Sequence, residues 1–170
     1  MCGSMSVYER ELKGVLQGDK KVIERVTKSC DENVKKIFEK ICEKHFIVIR
    51  AAGSFGVDLV AVREDYSFPI EVKASVDDVL HFSDDKRLTE QAEELKRECS
   101  SAGVIPLYAF RLKRTRGDPW RIFTLDVENI RGRTKLFYDR IPEIEKTKTG
   151  NYVMRWEHGM PLHGFIDYLC

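Results

Sequence analysis

Phe46-Ile47-Val48-Ile49-Arg50, Val57-Asp58-Leu59-Val60-Ala61-Val62 and Phe68-Pro69-Ile70-Glu71-Val72-Lys73 are three apolar, β-branched-rich runs. A small-residue loop, Ala51-Ala52-Gly53-Ser54-Phe55-Gly56, separates the first two, and a polar turn, Glu64-Asp65-Tyr66-Ser67, separates the last two. Short runs of this composition, bounded by turn formers, read as strands. Pro69 has no N–H for a ladder, so it belongs at the start of its strand or on an edge. Upstream, Val7 to Leu16 places Leu12, Val15 and Leu16 at helical spacing, with Gly14 a weak spot. Two more helical stretches follow: one carries Val22, Ile23 and Val26, the other runs from about Asp31, a candidate N-cap, to Lys44. Downstream, a helix from about Asp85 to Cys99 precedes a strand at Val104 to Phe110. A turn at Arg114 to Pro119 and a strand at Trp120 to Leu125 complete the pattern. Helices, three strands, a helix and two strands predict an α/β layer with a central mixed β-sheet flanked by helices.

At 170 residues the chain is long enough for one core and short for two. The expectation is a single domain over 1–170, with a core of about 7–126 and a C-terminal extension, 127–170, whose pattern is not readable. An apolar fraction of 42% and a charged fraction of 34% describe an ordinary globular protein. No apolar run is long enough to span a bilayer, and residues 1–8 carry no secretory apolar stretch, so a cytoplasmic location is expected. The five cysteines stand singly, without a CxxC pair, which removes zinc knuckles and thioredoxin-like chemistry. The net charge is only +1, but its distribution is uneven: acidic from Asp77 to Glu98, basic from Arg111 to Lys148. Such a basic segment suits phosphate contacts, and equally suits a merely solvated face.

The chemistry sits at Asp58 and Glu71-Val72-Lys73. Alternate residues of a strand share a face, so Glu71 and Lys73 point one way and Val72 the other. If the second and third strands pair as a hairpin, Asp58 approaches the same place. Two carboxylates there make an oxygen-rich site for a hard divalent cation, Mg²⁺ or alternatively Mn²⁺. Carboxylates so close repel each other unless a cation neutralises them. An ammonium beside them can orient a water and offset charge on a scissile phosphate, the requirements of phosphodiester hydrolysis. An exposed sheet face shows the same alternation, so the triplet alone leaves a solvated strand open.

Arg50-Ala51-Ala52-Gly53-Ser54-Phe55-Gly56-Val57-Asp58-Leu59-Val60-Ala61 followed by Ile70-Glu71-Val72-Lys73 resembles the heart of the archaeal Holliday junction resolvases, a PD-(D/E)xK family. Tyr8-Glu9-Arg10-Glu11-Leu12 resembles their N-terminal helix, and Gly103 to Arg111 with Pro119 to Phe123 their closing strand pair. The resemblance implies a restriction-endonuclease-like fold, a homodimer, and Mg²⁺-dependent cleavage of branched or four-way DNA. It implies metal binding by Asp58, Glu71 and Glu9, catalysis by these with Lys73, and DNA contacts by Arg10, Arg50 and Ser54. The stretch between Glu9 and Arg50 exceeds the compact family by about two short helices. Asp31 and Glu32, on the helix before the first strand, are therefore a second way to fill the place of Glu9, although the literal ERELK string favours Glu9. Another restriction- or repair-type endonuclease, or an inactive DNA-binding module, remain alternatives.

The remaining candidates have plainer readings. Gln91 occupies a place where some exonuclease relatives add a glutamine, and also reads as part of a solvated helix face. Trp120 and Trp156 read as core or interface residues, and the four histidines lack zinc spacing. The helix Asp85 to Cys99 and the apolar end Phe165, Ile166, Tyr168 and Leu169 are the candidate dimer surfaces.

Overall fold

The computed structural model describes residues 4–51 and 56–170. In chain order the first elements are α1 (Val7–Leu16), α2 (Lys20–Val26), α3 (Glu32–Glu39), β1 (Ile47–Arg50), β2 (Leu59–Val62), β3 (Ser67–Ser75), β4 (Val79–His81) and α4 (Lys86–Ala102). Then follow β5 (Leu107–Leu112), β6 (Trp120–Phe123), α5 (Gly132–Tyr138), β7 (Glu145–Lys146), β8 (Tyr152–Arg155), β9 (Met160–Pro161) and α6 (Leu162–Leu169). The central six-stranded sheet has the order β1-β2-β3-β5-β6-β9. All its pairs are antiparallel except β3 with β5, which the α4 crossover joins in parallel. The expected mixed sheet flanked by helices is present.

Local chemistry sets the helix ends. Side chains of Ser6, Asp19, Asp31 and Asp85 accept backbone N–H groups at the starts of α1 to α4, and α4 closes on Gly103 at φ 71°. Asp31 is thus the N-cap its sequence position predicted. Pro69 stands third in β3, opposite Val60. Pairing with β5 begins only at Ile70, so Pro69 has a strand on one side alone and sits near the strand start as expected.

The end of α1 touches the start of β1 directly. Phe46 N–H donates to the Leu16 carbonyl at 2.8 Å, and Val48 N–H to Gln17 Oε1 at 3.4 Å. Residues 18–45, carrying α2 and α3, are therefore an excursion that leaves and returns to one point. Gly18, at φ 72°, makes the exit. Gly14 is where α2 crosses α1: a Cβ there would meet the Val22 methyls at 2.7 and 3.0 Å.

The segment beyond residue 126 is built into the main core. Phe68 of β3 packs against Phe137 and Phe165 at ring separations of 6.0 and 5.7 Å, and against Phe46 at 5.8 Å. Phe165, Ile166 and Leu169 are buried within this cluster, which leaves only Tyr168 of the expected C-terminal dimer surface exposed. Arg63 clamps the last residues. It donates to Asp65 through two nitrogens, to the Lys44 carbonyl and to the Leu169 carbonyl, with Phe46 beneath it at 4.4 Å. The same segment supplies β8 and β7, which with β4 form a second, three-stranded sheet. Among the described residues no helix is long and apolar enough to cross a membrane, and Cys30, Cys42, Cys99 and Cys170 are unbridged.

Candidate functional site

β2 and β3 form the antiparallel pair the site requires, with Leu59 opposite Ile70. Asp58 N–H also donates to the Ile70 carbonyl, at 3.0 Å, so two residues of one strand face one of the other. This is the geometry of a β-bulge, a device that re-aims a side chain and ends pairing. The Asp58 carboxylate then takes the place of the missing ladder: its Oδ2 accepts from Val72 N–H at 2.8 Å. Asp58 is thereby pinned beside the residue between Glu71 and Lys73.

Glu71 and Lys73 share the face opposite Phe68, Ile70 and Val72, in register with Tyr108 and Phe110 of β5. That burial separates this strand from a solvated one. Glu71 is only 7% exposed, and Lys73 Nζ stands 2.7 Å from Glu71 Oε1. Burial pushes the Glu71 carboxyl up to about 7; Lys73 pulls it down, while the charges of Asp58 and Glu9 add to the rise. Tyr108 beside it is also raised, by burial and then by the charge of Glu71.

That influence of Glu9 brings it within electrostatic reach of Glu71. It lies in the first turn of α1, half-buried, and α1 packs across β1, β2 and β3. Asp31 and Glu32 are elsewhere: Asp31 caps α3, Glu32 pairs with Lys35 at 3.1 Å in solvent, and α3 packs on α6. Of the two ways to supply a third carboxylate, the structure brings Glu9 to Glu71. Arg10 is exposed on α1, and Arg50 is half-buried at the end of β1, where Ala51 N–H donates to the Asp58 carbonyl. Ser54 lies outside the described residues.

Several neighbours of the site had no sequence signal or a misleading one. Gln91 is not solvated: it is half-buried, and a Cβ on Gly56 would meet its Cβ and Cγ at 3.5 Å, so α4 backs Gly56, two residues before Asp58. Glu11, the second acid of the ERE string, is buried and accepts from Arg111 Nε and Trp120 Nε1, both at 2.9 Å. It ties α1 to β5 and β6, and so holds Glu9 in place; Trp120 is a core residue, as expected. The acidic stretch after Lys73 is partly consumed by structure. Asp85 caps α4, and Glu93 accepts from the Tyr152 hydroxyl at 2.7 Å.

Among the described residues no three His, Cys, Asp or Glu side chains converge tightly enough to be a formed metal cluster. The donor chemistry nevertheless fits a hard divalent cation. A buried carboxyl raised to about 7 by its surroundings, with two further carboxylates contributing, is a site whose ionised form needs positive charge beyond Lys73.

The family model for archaeal Holliday junction resolvase (Hjc) matches residues 25–169, a span that begins downstream of α1 and Glu9. No curated protein matches the sequence. Among solved structures, that of Archaeoglobus fulgidus Hjc, a Holliday junction resolvase from an archaeal hyperthermophile, aligns at 21% identity. The alignment covers 73% of this chain and 84% of that one, with a TM-score of 0.49.

Proposed function

The chain belongs to the archaeal Holliday junction resolvase family, and from that premise we propose that it is a Mg²⁺-dependent endonuclease nicking four-way DNA junctions through Asp58, Glu71 and Lys73. The observation that carries this reading is the buried Glu71 carboxyl, raised to about 7, with Lys73 at 2.7 Å and the charges of Asp58 and Glu9 acting on it. Held by Asp58 and Glu71, with Glu9 as the third acidic group, Mg²⁺ or Mn²⁺ would supply a Lewis acid for the phosphoryl oxygens. Lys73 orients the attacking water and offsets charge building on the phosphate. Asp58 is held by the Val72 amide, which fixes its carboxylate before substrate arrives. Arg50 at the end of β1 and Ser54, four residues before Asp58, hold the adjoining phosphate, and Arg10 makes a further backbone contact from α1.

Symmetric incision of a junction needs two sites related by a two-fold axis, so the working form is a homodimer. The outer face of the edge pair β1–β2 supports this. Ile47 is 67%, Ile49 55% and Val62 37% exposed, and the register puts all three on one face. A second copy of the chain is the occupant that matches a symmetric substrate.

A labelled four-way junction incubated with Mg²⁺, wild type beside Glu71→Ala, tests the proposal. Paired symmetric nicks that vanish in the variant are expected. Cleavage of flaps or duplex but not junctions would move the protein to another branched- or duplex-DNA endonuclease. No cleavage with Mg²⁺ or Mn²⁺ on any of these substrates would sink the catalytic reading and leave a DNA-binding module.

A further inference from the structure

We propose that the α2 excursion and the β5–β6 hairpin together form a phosphate-binding track that holds a DNA arm running away from the cleavage site, an inference that rests on the nuclease reading above. Lys21 and Arg25 stand one turn apart on the exposed side of α2, and Lys28 follows in the turn that ends it. The hairpin contributes Lys113, Arg114 and Arg116. Gly117 N–H donates to Ser29 Oγ at 2.8 Å, which joins the two groups into one surface.

Three observations bear on these six cations. Among the described residues none of them forms an ion pair with a carboxylate, as is also true of Lys36, Arg97, Arg131 and Arg133, although Asp77 and Asp78 border the cleft that Lys113 and Arg114 line. Six cations against Glu24, Asp77 and Asp78 leave this surface net positive in a chain whose net charge is only +1. Glu24, three residues from Lys21 on the same helix, lines a cleft with Lys20, Ile23 and Cys42. Second, Arg114 is held at φ 59°, a left-handed conformation that side-chain-bearing residues seldom adopt. The hairpin is fixed around it by Lys113 N–H on the Ser75 carbonyl and Leu112 N–H on the Pro119 carbonyl. Third, the surface leads back to the site: Lys113 Nζ stands 5.3 Å from the ring centre of Tyr8, whose neighbour Glu9 acts on Glu71.

The spacing suits a nucleic-acid backbone. Tyr108 lies opposite Glu71, and Lys113 is five residues further along the chain. That is about 17 Å at ~3.4 Å per extended residue, or the rise of roughly five nucleotides along one strand. Lysine and arginine side chains without a base-reading partner bind phosphates whatever the sequence, so the track orients an arm and does not choose a site.

The test measures junction binding against salt with Ca²⁺ in place of Mg²⁺, so that no cleavage intervenes. Two variants are compared with wild type: Lys21→Gln/Arg25→Gln/Lys28→Gln, and Lys113→Gln/Arg114→Asn/Arg116→Gln. Every phosphate deprived of its cation lowers the slope of log Kobs against log salt by about 0.9, so each variant is expected to lose about 2 to 3 from the slope. A Lys21→Arg/Lys28→Arg protein should keep it, and melting temperatures should stay at the wild-type value. In Mg²⁺ the loss should appear as weaker binding that recovers at high protein, not as a lower rate at saturation. Slopes and affinities unchanged in both variants would overturn the track. Wild-type nicking with unchanged slopes removes the track alone. Binding with altered slopes but no nicking by wild type removes the nuclease reading alone, and no DNA binding at low salt removes both.

Discussion

Glu71 concentrates the cost of the site in one residue. Its carboxyl is raised from 4.5 to about 7, so the folded protein holds this proton more tightly than the unfolded chain does. Stability from that source is fully present below about pH 4.5 and is lost as pH rises through 7. At roughly 1.4 kcal/mol per pH unit between the two values, metal-free protein should lose on the order of 3 kcal/mol across this window. Urea titrations at several pH values should show the decline in wild type and a flat profile in Glu71→Gln. Mg²⁺ at pH 8 should raise the melting temperature of wild type and leave that of Glu71→Gln unchanged; an equal rise in both would place the metal elsewhere. Lys73→Met removes the cation at 2.7 Å, and single-turnover cleavage should fall by a factor on the order of 10² to 10³. The residue pair was legible from alternation in a strand. Its burial was not, because whether a strand face meets solvent depends on α4 and β5, which arrive from elsewhere in the chain.

At the scale of elements, two devices hold the β2–β3 hairpin and the helix that carries Glu9. Gly14 reads in sequence as a flaw in α1, yet it is where α2 approaches too closely for a side chain. Gly14→Ala gains up to about 1 kcal/mol of helix propensity but forces the stiff Val22 methyls away. A net destabilisation of about 1 to 2 kcal/mol in chemical denaturation is the expected balance; a gain in stability would mean that α2 moves aside freely. Arg63 binds Asp65, both carbonyls and the Phe46 ring from a side chain only 6% exposed. The Arg63 hydrogen bonds hold the Asp65 carboxyl down at about 2, so this contribution is present above about pH 4 and fades only as pH falls through 2. Arg63→Ala should cost on the order of 3 kcal/mol and expose the C-terminal helix to protease. Cleavage of that helix at the wild-type rate would show that the clamp is dispensable.

Over the whole molecule, the segment after residue 126 closes the core that the first 126 residues begin. It adds β9 to the edge of the central sheet and sets Phe137, Phe165 and Ile166 against it. A chain ending at residue 130 should therefore be recovered unfolded or insoluble. Phe165→Ala, which spares the backbone, should cost about 3 to 5 kcal/mol. The other whole-molecule property under test is the homodimer proposed above. Ile49→Lys on the exposed β1 face should shift the protein to a monomer in light scattering and replace paired nicks by single ones. A dimer that survives this change would move the interface to another surface.

What the sequence determined by itself was everything written in short-range periodicity. Short β-branched runs marked the three strands, alternation put Glu71 and Lys73 on one face, the capping residue Asp31 marked α3, and the Arg50 to Lys73 string pointed to the resolvase family. The tertiary structure decided the rest. That Glu9 and not Glu32 acts on Glu71 depends on the end of α1 meeting the start of β1 across the α2–α3 excursion. The place of the C-terminal segment depends on aromatic contacts between β3 and helices far along the chain. The perturbation of Glu71 depends on burial under elements that carry no mark of it in their own pattern. Local periodicity specifies which face of an element is apolar, but only the closed fold specifies what covers that face, and the charge and proton balance of a site follow from what covers it.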